Sequence, residues 1–182
     1  MDKPINLSDY YCQYFRDFRD KAPKEYLTYG GYFTGLPNAQ ASSFESCEAF
    51  VRMIGEKETL LNAGAGASSW IFRKLLKNVY CTDPDKGYLE AVKYVVGGDN
   101  YIHTIDKCPE VDYVYWDYGN AERVPNLSKA YSLARKAMYV DDCHDVYLAD
   151  CVRKLGAETN SKVVGPVGLD SHGRFGLVLI RL

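Results

Sequence analysis

The residues arranged for chemistry begin with two glycines. Gly64-Ala65-Gly66 follows the apolar run Thr59-Leu60-Leu61-Asn62-Ala63 and precedes Ala67-Ser68-Ser69-Trp70-Ile71-Phe72. That order predicts a buried strand, a glycine turn and the start of a helix. Without a Cβ at 64 and 66 the turn can be tight, and a ligand can approach the backbone. Ser68 or Ser69 is placed to cap the helix. The N–H groups at its start form a site for an anionic group. Asp83 ends the next apolar run, Asn78-Val79-Tyr80-Cys81-Thr82, about twenty positions after the first glycine. A carboxylate there suits the two adjacent hydroxyls of a ribose. Turn and acid together predict a nucleoside cofactor whose carboxylate or phosphate lies at the helix start.

More polar residues follow later apolar runs. Asp106 comes after Tyr101 to Ile105, and Asp117-Tyr118-Gly119-Asn120 after Val111 to Trp116. Asp141-Asp142-Cys143-His144-Asp145 comes after Ala137 to Val140. In an open parallel sheet ligands bind beyond the carboxyl ends of the strands, so these residues should share one rim. His144 has the chemistry of a base near neutral pH; the alternative is a solvated loop histidine. Gly64 and Gly66 could equally shape a plain turn, and Asp83 before Pro84 could be a helix cap.

The elements that must position these residues alternate. Leu7 to Lys21 reads as a helix, with Tyr11, Tyr14, Phe15 and Phe18 on one face and Arg16, Asp17, Arg19 and Asp20 on the other. Tyr26 to Ala41 is rich in Gly, Pro, Asn and Tyr and reads as a loop. Ser42-Ser43-Phe44-Glu45 is a capping-box pattern, opening a helix through Cys47, Phe50, Val51 and Ile54 to Gly55. Helices are also predicted from Lys86 to Val96, from Arg123 to Lys136 and from Tyr147 to Gly156. Lys107 to Glu110 is too short for a crossover helix. Val163 to Val167 and Phe175 to Ile180 close the chain as a hairpin. The predicted fold is α/β: a Rossmann-like three-layer sandwich around a mostly parallel seven-stranded sheet with an antiparallel last strand.

Two families share this grammar, the NAD-binding Rossmann domains and the class I S-adenosylmethionine-dependent methyltransferases. The chain resembles the methyltransferases more closely. Asn62-Ala63-Gly64-Ala65-Gly66 is similar to their first motif and Val79-Tyr80-Cys81-Thr82-Asp83 to their second, with Asn62 where that family usually carries Glu or Asp. The resemblance implies S-adenosyl-L-methionine as cofactor, held by Asn62, Gly64, Ala65, Gly66, Ser69, Asp83, Asp106 and Asp117. It implies Asp117 beside the transferring methyl, His144 as the base, and Tyr118 or Trp70 facing the sulfonium. It also implies a lid over the site formed by residues 1–43; irregular packing of that segment is the other reading. Asp117, Asp141 and Asp142 resemble the carboxylates of metal-dependent O-methyltransferases, with Asp142 in place of Asn; no metal is expected. The other readings are an NAD-binding oxidoreductase, with Ser69 where a third glycine would lie, and a non-catalytic methyltransferase-like scaffold.

The 182 residues suit one domain, and a formal charge of −2 with 25% charged residues argues against a general nucleic-acid binder. Asp117-Tyr118-Gly119-Asn120 is unlike the Asn/Asp-Pro-Pro-aromatic motif of base-modifying amino-methyltransferases, so a small molecule or a peptide side chain is expected as acceptor, the small molecule first. The six cysteines lack paired spacing and read as reduced thiols; Cys143, His144, Cys151 and His172 lack the C-x-x-C of a zinc site. No apolar run reaches membrane-spanning length and no signal peptide is legible, which predicts a cytoplasmic protein.

Overall fold

In the computed structural model, which describes residues 7–21 and 42–182, seven strands form one sheet. They are β1 (Thr59–Ala63), β2 (Asn78–Thr82), β3 (Tyr101–Ile102), β4 (Val111–Trp116), β5 (Ala134–Val140), β6 (Lys162–Val167) and β7 (Gly176–Ile180). The order is β3-β2-β1-β4-β5-β7-β6, with β7 antiparallel to both neighbours and the other pairs parallel. The chain leaves β1 outward in one direction and returns to β4 on its other side. That switch point opens a crevice beyond the ends of β1 and β4.

The helices are α1 (Leu7–Lys21), α2 (Phe44–Val51), α3 (Ala67–Leu75), α4 (Lys86–Val96), α5 (Asn120–Arg123), α6 (Leu127–Leu133) and α7 (Val146–Glu158). Side chains alternate across the sheet because strand residues point to opposite faces. Leu60, Tyr115 and Tyr139 face Tyr14 and Phe18 of α1, Phe50 of α2 and Phe72 of α3. Leu61, Trp116 and Met138 face Leu127 of α6 and Val152 of α7. The first face is aromatic, with Tyr115 stacked on Tyr139 at 4.9 Å between ring centres. The layers are those the sequence pattern predicts.

Several local expectations change. Helix α1 buries Tyr14 and Phe18 of the predicted stripe, and Asp17, expected on the other face, is buried beside them. Asp17 accepts from Gln13 at 2.5 Å and pairs with Lys21 at 3.0 Å, which makes its burial tolerable. Ser43, not Ser42, caps α2, its Oγ accepting from Ser46 N at 3.1 Å. The predicted helix from Arg123 to Lys136 is two short helices broken around Pro125, which lacks an N–H and disfavours helix before it. Ala134 to Lys136 belong to β5, where Ala134 pairs with Val111. Gly156 does not end α7: a Cβ there would lie 2.4 Å from Val163 Cγ2, so the glycine lets helix and strand approach closely. The expected aromatic loop, 26–41, and with it most of the expected lid, lies outside the described residues. Among the described residues no helix is long and apolar enough to cross a membrane.

Candidate active site

The glycine turn is wedged between two neighbouring strand ends. Gly64 donates its N–H to the Thr82 carbonyl at the end of β2, 2.9 Å away. Its φ is +94°, and a Cβ would lie 2.1 Å from the Asp117 carbonyl oxygen just past β4. Only glycine fits. At Gly66 a Cβ would come within 3.0 Å of the Tyr88 hydroxyl, which hangs over the turn from α4.

Asn62 and Ser69 hold this turn from inside rather than lining it. Asn62 has no exposed surface, and its Nδ2 donates to Ser69 Oγ at 2.7 Å and Ser68 Oγ at 3.0 Å. Ser69, also fully buried, accepts from Gly66 N at 3.1 Å, so it tethers the start of α3. The two were expected among the cofactor's contacts. Their polar atoms are instead engaged with each other, because a neutral amide can satisfy two hydroxyls where a carboxylate could only accept. Gly66 itself takes the cap position, so neither serine caps α3 in the expected way.

Asp83 stands at the tip of β2, 8% exposed. It accepts from Asp85 N at 2.9 Å, and Asp85 in turn caps α4 by accepting from Tyr88 N at 3.0 Å. The cap role the sequence allowed to Asp83 therefore belongs to Asp85. Burial pushes the Asp83 carboxyl up to about 7, only partly offset by the N–H of Asp85. A buried acid in this state gains from hydroxyl donors that replace lost water. Tyr14 of α1 reaches the same corner, its hydroxyl 3.5 Å from that of Tyr88. Sequence reasoning read Tyr14, like Tyr88 on the apolar face of the Lys86–Val96 helix, as a packing residue. Nothing local marks them, because they meet across 74 positions of chain.

On the other side of the crevice Asp117 is the centre. Its side chain is 11% exposed. Oδ1 accepts from Arg123 Nη2 at 2.5 Å and Oδ2 from Ser42 Oγ at 2.6 Å. Burial, then the neighbouring Asp141, holds its carboxyl well above the usual range, while Arg123 pulls it down. Asp141 is also raised, first by burial and then by Asp142; it accepts from Ser46, Tyr139 and Tyr115. Arg123 reaches Asp142 as well, Nη1 to Oδ2 at 2.8 Å. Ser42 was read in the sequence only as a helix cap, and Ser46 and Arg123 were given no role at the site. A serine pair before a helix and an arginine in a short turn carry no periodic signal.

Beside this cluster lies a cleft of about 680 Å³ lined by Arg123, Asp142, His144, Tyr147 and Arg174 among others. His144 stands at its edge, Nδ1 3.8 Å from Asp142 Oδ1. Tyr147, which lines it, is exposed at the start of α7. The structure thus brings Gly64, Ala65, Gly66, Asp83 and Asp117 to one edge of the sheet, and His144 to the cleft beside Asp142.

It does not bring Asp106 there. That side chain is 80% exposed on a short 3-10 turn, Ile105–Lys107, and faces Lys129 at 3.7 Å. The third strand is only two residues long and ends at Ile102, level with Thr82 of β2; Asp106 comes later, on the 3-10 turn rather than at the strand end. Ile105, not Asp106, is the buried residue of that turn. Trp70 carries the Lys74 ammonium over its ring at 5.0 Å, and Tyr118 stacks on Trp116 at 4.9 Å. Among the described residues no three His, Cys, Asp or Glu side chains group as metal ligands, and the described cysteines are free thiols.

No protein-family model matches the chain, and no curated protein does either. Solved structures do. Precorrin-6y C5,15-methyltransferase from Geobacter metallireducens superposes with a TM-score of 0.62 at 12% identity, covering 80% of this chain and 92% of that one. Magnesium protoporphyrin IX methyltransferase from Synechocystis, with bound SAM, gives 0.61 at 13% identity and covers 100% of both chains. A tRNA methyltransferase of M. jannaschii gives 0.52 at 13% identity, over 76% of this chain and 49% of its own. The chain has the Rossmann-like fold of the class I methyltransferases.

Proposed function

We propose that this protein transfers a methyl group from S-adenosyl-L-methionine to a small-molecule acceptor, with an oxygen as the methylated atom. The observation that carries the reading is the glycine turn at Gly64 with Asp83 at the next strand end. A backbone with no room for a Cβ faces a carboxyl that lacks water, at the switch point of a methyltransferase fold. The residues present fit the cofactor. The bare turn admits its amino-acid tail, Asp83 accepts from the ribose hydroxyls, and the buried Ile105 gives the adenine an apolar neighbour. When bound, S-adenosylmethionine supplies an electrophilic methyl on a positively charged sulfur.

The chain's own residues orient and exclude. Asp117, fixed by Arg123 and Ser42, places a carboxyl where the two crevices meet. The acceptor takes the adjacent cleft, with Tyr147 and Leu148 giving apolar contact. His144 Nε2 removes the proton from the acceptor hydroxyl, and Asp142 beside Nδ1 stabilises the imidazolium that forms. Orientation of two bound partners gives most of the rate in such a displacement. The cleft is sized for a small molecule, and a chain of net charge −2 is a poor match to the phosphates of a tRNA. Free thiols suit a reducing compartment such as the cytoplasm.

Calorimetry with S-adenosylhomocysteine and with NAD tests the reading. Binding of the former at micromolar strength or better, and not of NAD, is expected. Binding of NAD alone reverses the proposal in favour of an oxidoreductase. Tight binding without turnover of any hydroxyl acceptor favours a non-catalytic scaffold.

A further inference from the structure

Three carboxylates, Asp117, Asp141 and Asp142, converge where β4 and β5 end. Oxygen ligands in such a group suit a divalent cation in general. Here their lone pairs already face donors. Arg123 Nη2 meets Asp117 Oδ1 at 2.5 Å, and Nη1 meets Asp142 Oδ2 at 2.8 Å. Ser42 Oγ covers Asp117 Oδ2 at 2.6 Å. Asp141 accepts from Ser46 at 3.2 Å, Tyr139 at 3.3 Å and Tyr115 at 3.4 Å. Arg123 is buried and held on every side: Nε donates to the Tyr118 carbonyl at 3.3 Å, and its own carbonyl accepts from Trp116 Nε1 at 3.2 Å.

We infer that Arg123 is the resident cation of this site, its guanidinium standing between the ends of β4 and β5 where a divalent ion would have to lie. A planar fork with a permanent charge bridges two carboxylates in one geometry, which a lysine or a hydrated ion does less well. Arg123 is thus a positioning residue: it fixes Asp117 at the meeting of the two crevices and ties α5 to the loop that carries His144. Resting on the proposed function, the inference adds that methyl transfer here needs no divalent metal.

The test needs neither cofactor nor acceptor. Arg123→Met keeps much of the side chain's bulk and removes its charge. Near pH 8 it is expected to melt about 6–12 °C below the wild type, because the largely buried Asp117 and the partly exposed Asp142 lose their counter-ion. Near pH 5 the gap should shrink to less than about half, as the freed Asp117 carboxyl takes up a proton. Other titratable and charged groups around the pair are Asp141, Tyr115 and Tyr139 from the sheet, Cys47 from α2, Cys143 and His144 from the loop, and the Arg174–Asp170 pair. The comparison is therefore repeated with His144→Asn in both chains, which removes the imidazole's titration. Arg123→Lys should melt between the two. Wild-type protein titrated with Mn²⁺ should leave the ion's spin-resonance signal that of free Mn²⁺. A melting gap that does not change with pH overturns the inference, as does Arg123→Met melting no lower than Arg123→Lys. So does Mn²⁺ binding to the wild type that Asp142→Asn abolishes. Failure of S-adenosylhomocysteine to bind would count against the proposed function alone.

Discussion

Asp83 gives the sharpest prediction, because the free protein and the complex want it in different protonation states. In the free protein its carboxyl titrates near about 7, held up mainly by burial. Ribose hydroxyls donate to the ionised form, so binding should draw its pKa back toward the ordinary range. Affinity then depends on the fraction ionised before binding. The apparent Kd should be close to its limit near pH 8, about twofold weaker near pH 7 and about tenfold weaker near pH 6. About half a proton should be released per ligand bound near pH 7. Calorimetry with S-adenosylhomocysteine in two buffers of different ionisation enthalpy measures both quantities. Asp83→Asn should flatten the profile and weaken binding by about 2–3 kcal/mol, roughly 30- to 150-fold, through lost charge-assisted hydrogen bonds. The same substitution should stabilise the ligand-free chain. A carboxyl whose folded pKa is raised contributes most below its unfolded value and loses that contribution as pH rises toward about 7. Above that, Asp83→Asn should gain about 1–4 kcal/mol in urea unfolding. A Kd constant between about pH 6 and 8 with no proton release, or an Asp83→Asn chain that binds as well as the wild type, would refute this account.

Gly64→Ala should cost at least about 3 kcal/mol, since its Cβ would lie 2.1 Å from the Asp117 carbonyl oxygen at φ +94°; an unchanged urea midpoint would mean the wedge is not as tight as described. Asn62→Leu should cost about 2–4 kcal/mol by stranding the Ser68 and Ser69 hydroxyls. If instead the midpoint held and ligand affinity fell, Asn62 would be a ligand contact after all. His144→Gln should lower kcat by about 10²–10⁴-fold once an acceptor is known, with the Kd for S-adenosylhomocysteine unchanged; equal turnover would leave His144 a solvated loop residue.

The fold was largely legible because its signals are local. Strand alternation at Val111–Trp116, the glycines after Thr59–Ala63 and the helical period at Lys86–Val96 each need only a few neighbouring residues. The glycine turn and Asp83 belong to the same class, since strand, turn and acid fall within one βαβ unit. What stayed hidden was set by distance in sequence. Asp106 lies on a 3-10 turn beyond a strand that ends at Ile102, where the sequence read one running to Ile105, and pairing with β2 decides where that strand stops. Asn62 looked like a ligand contact because its position in the motif is visible but the direction of its side chain is not. Ser42 meets Asp117 across 75 positions and Ser46 meets Asp141 across 95.

By itself, then, the sequence determined the alternation of strands and helices, the bare turn after the first strand and the acid at the end of the second. These follow from backbone sterics and hydrophobic period, which act between near neighbours. Only the tertiary structure decided that Asn62 faces inward, that Asp106 points to solvent, and that Arg123 bridges Asp117 and Asp142 beside His144. The reason is physical. A buried charge takes whatever partner the folded chain brings within hydrogen-bond reach, and that proximity exists only once the strands have paired.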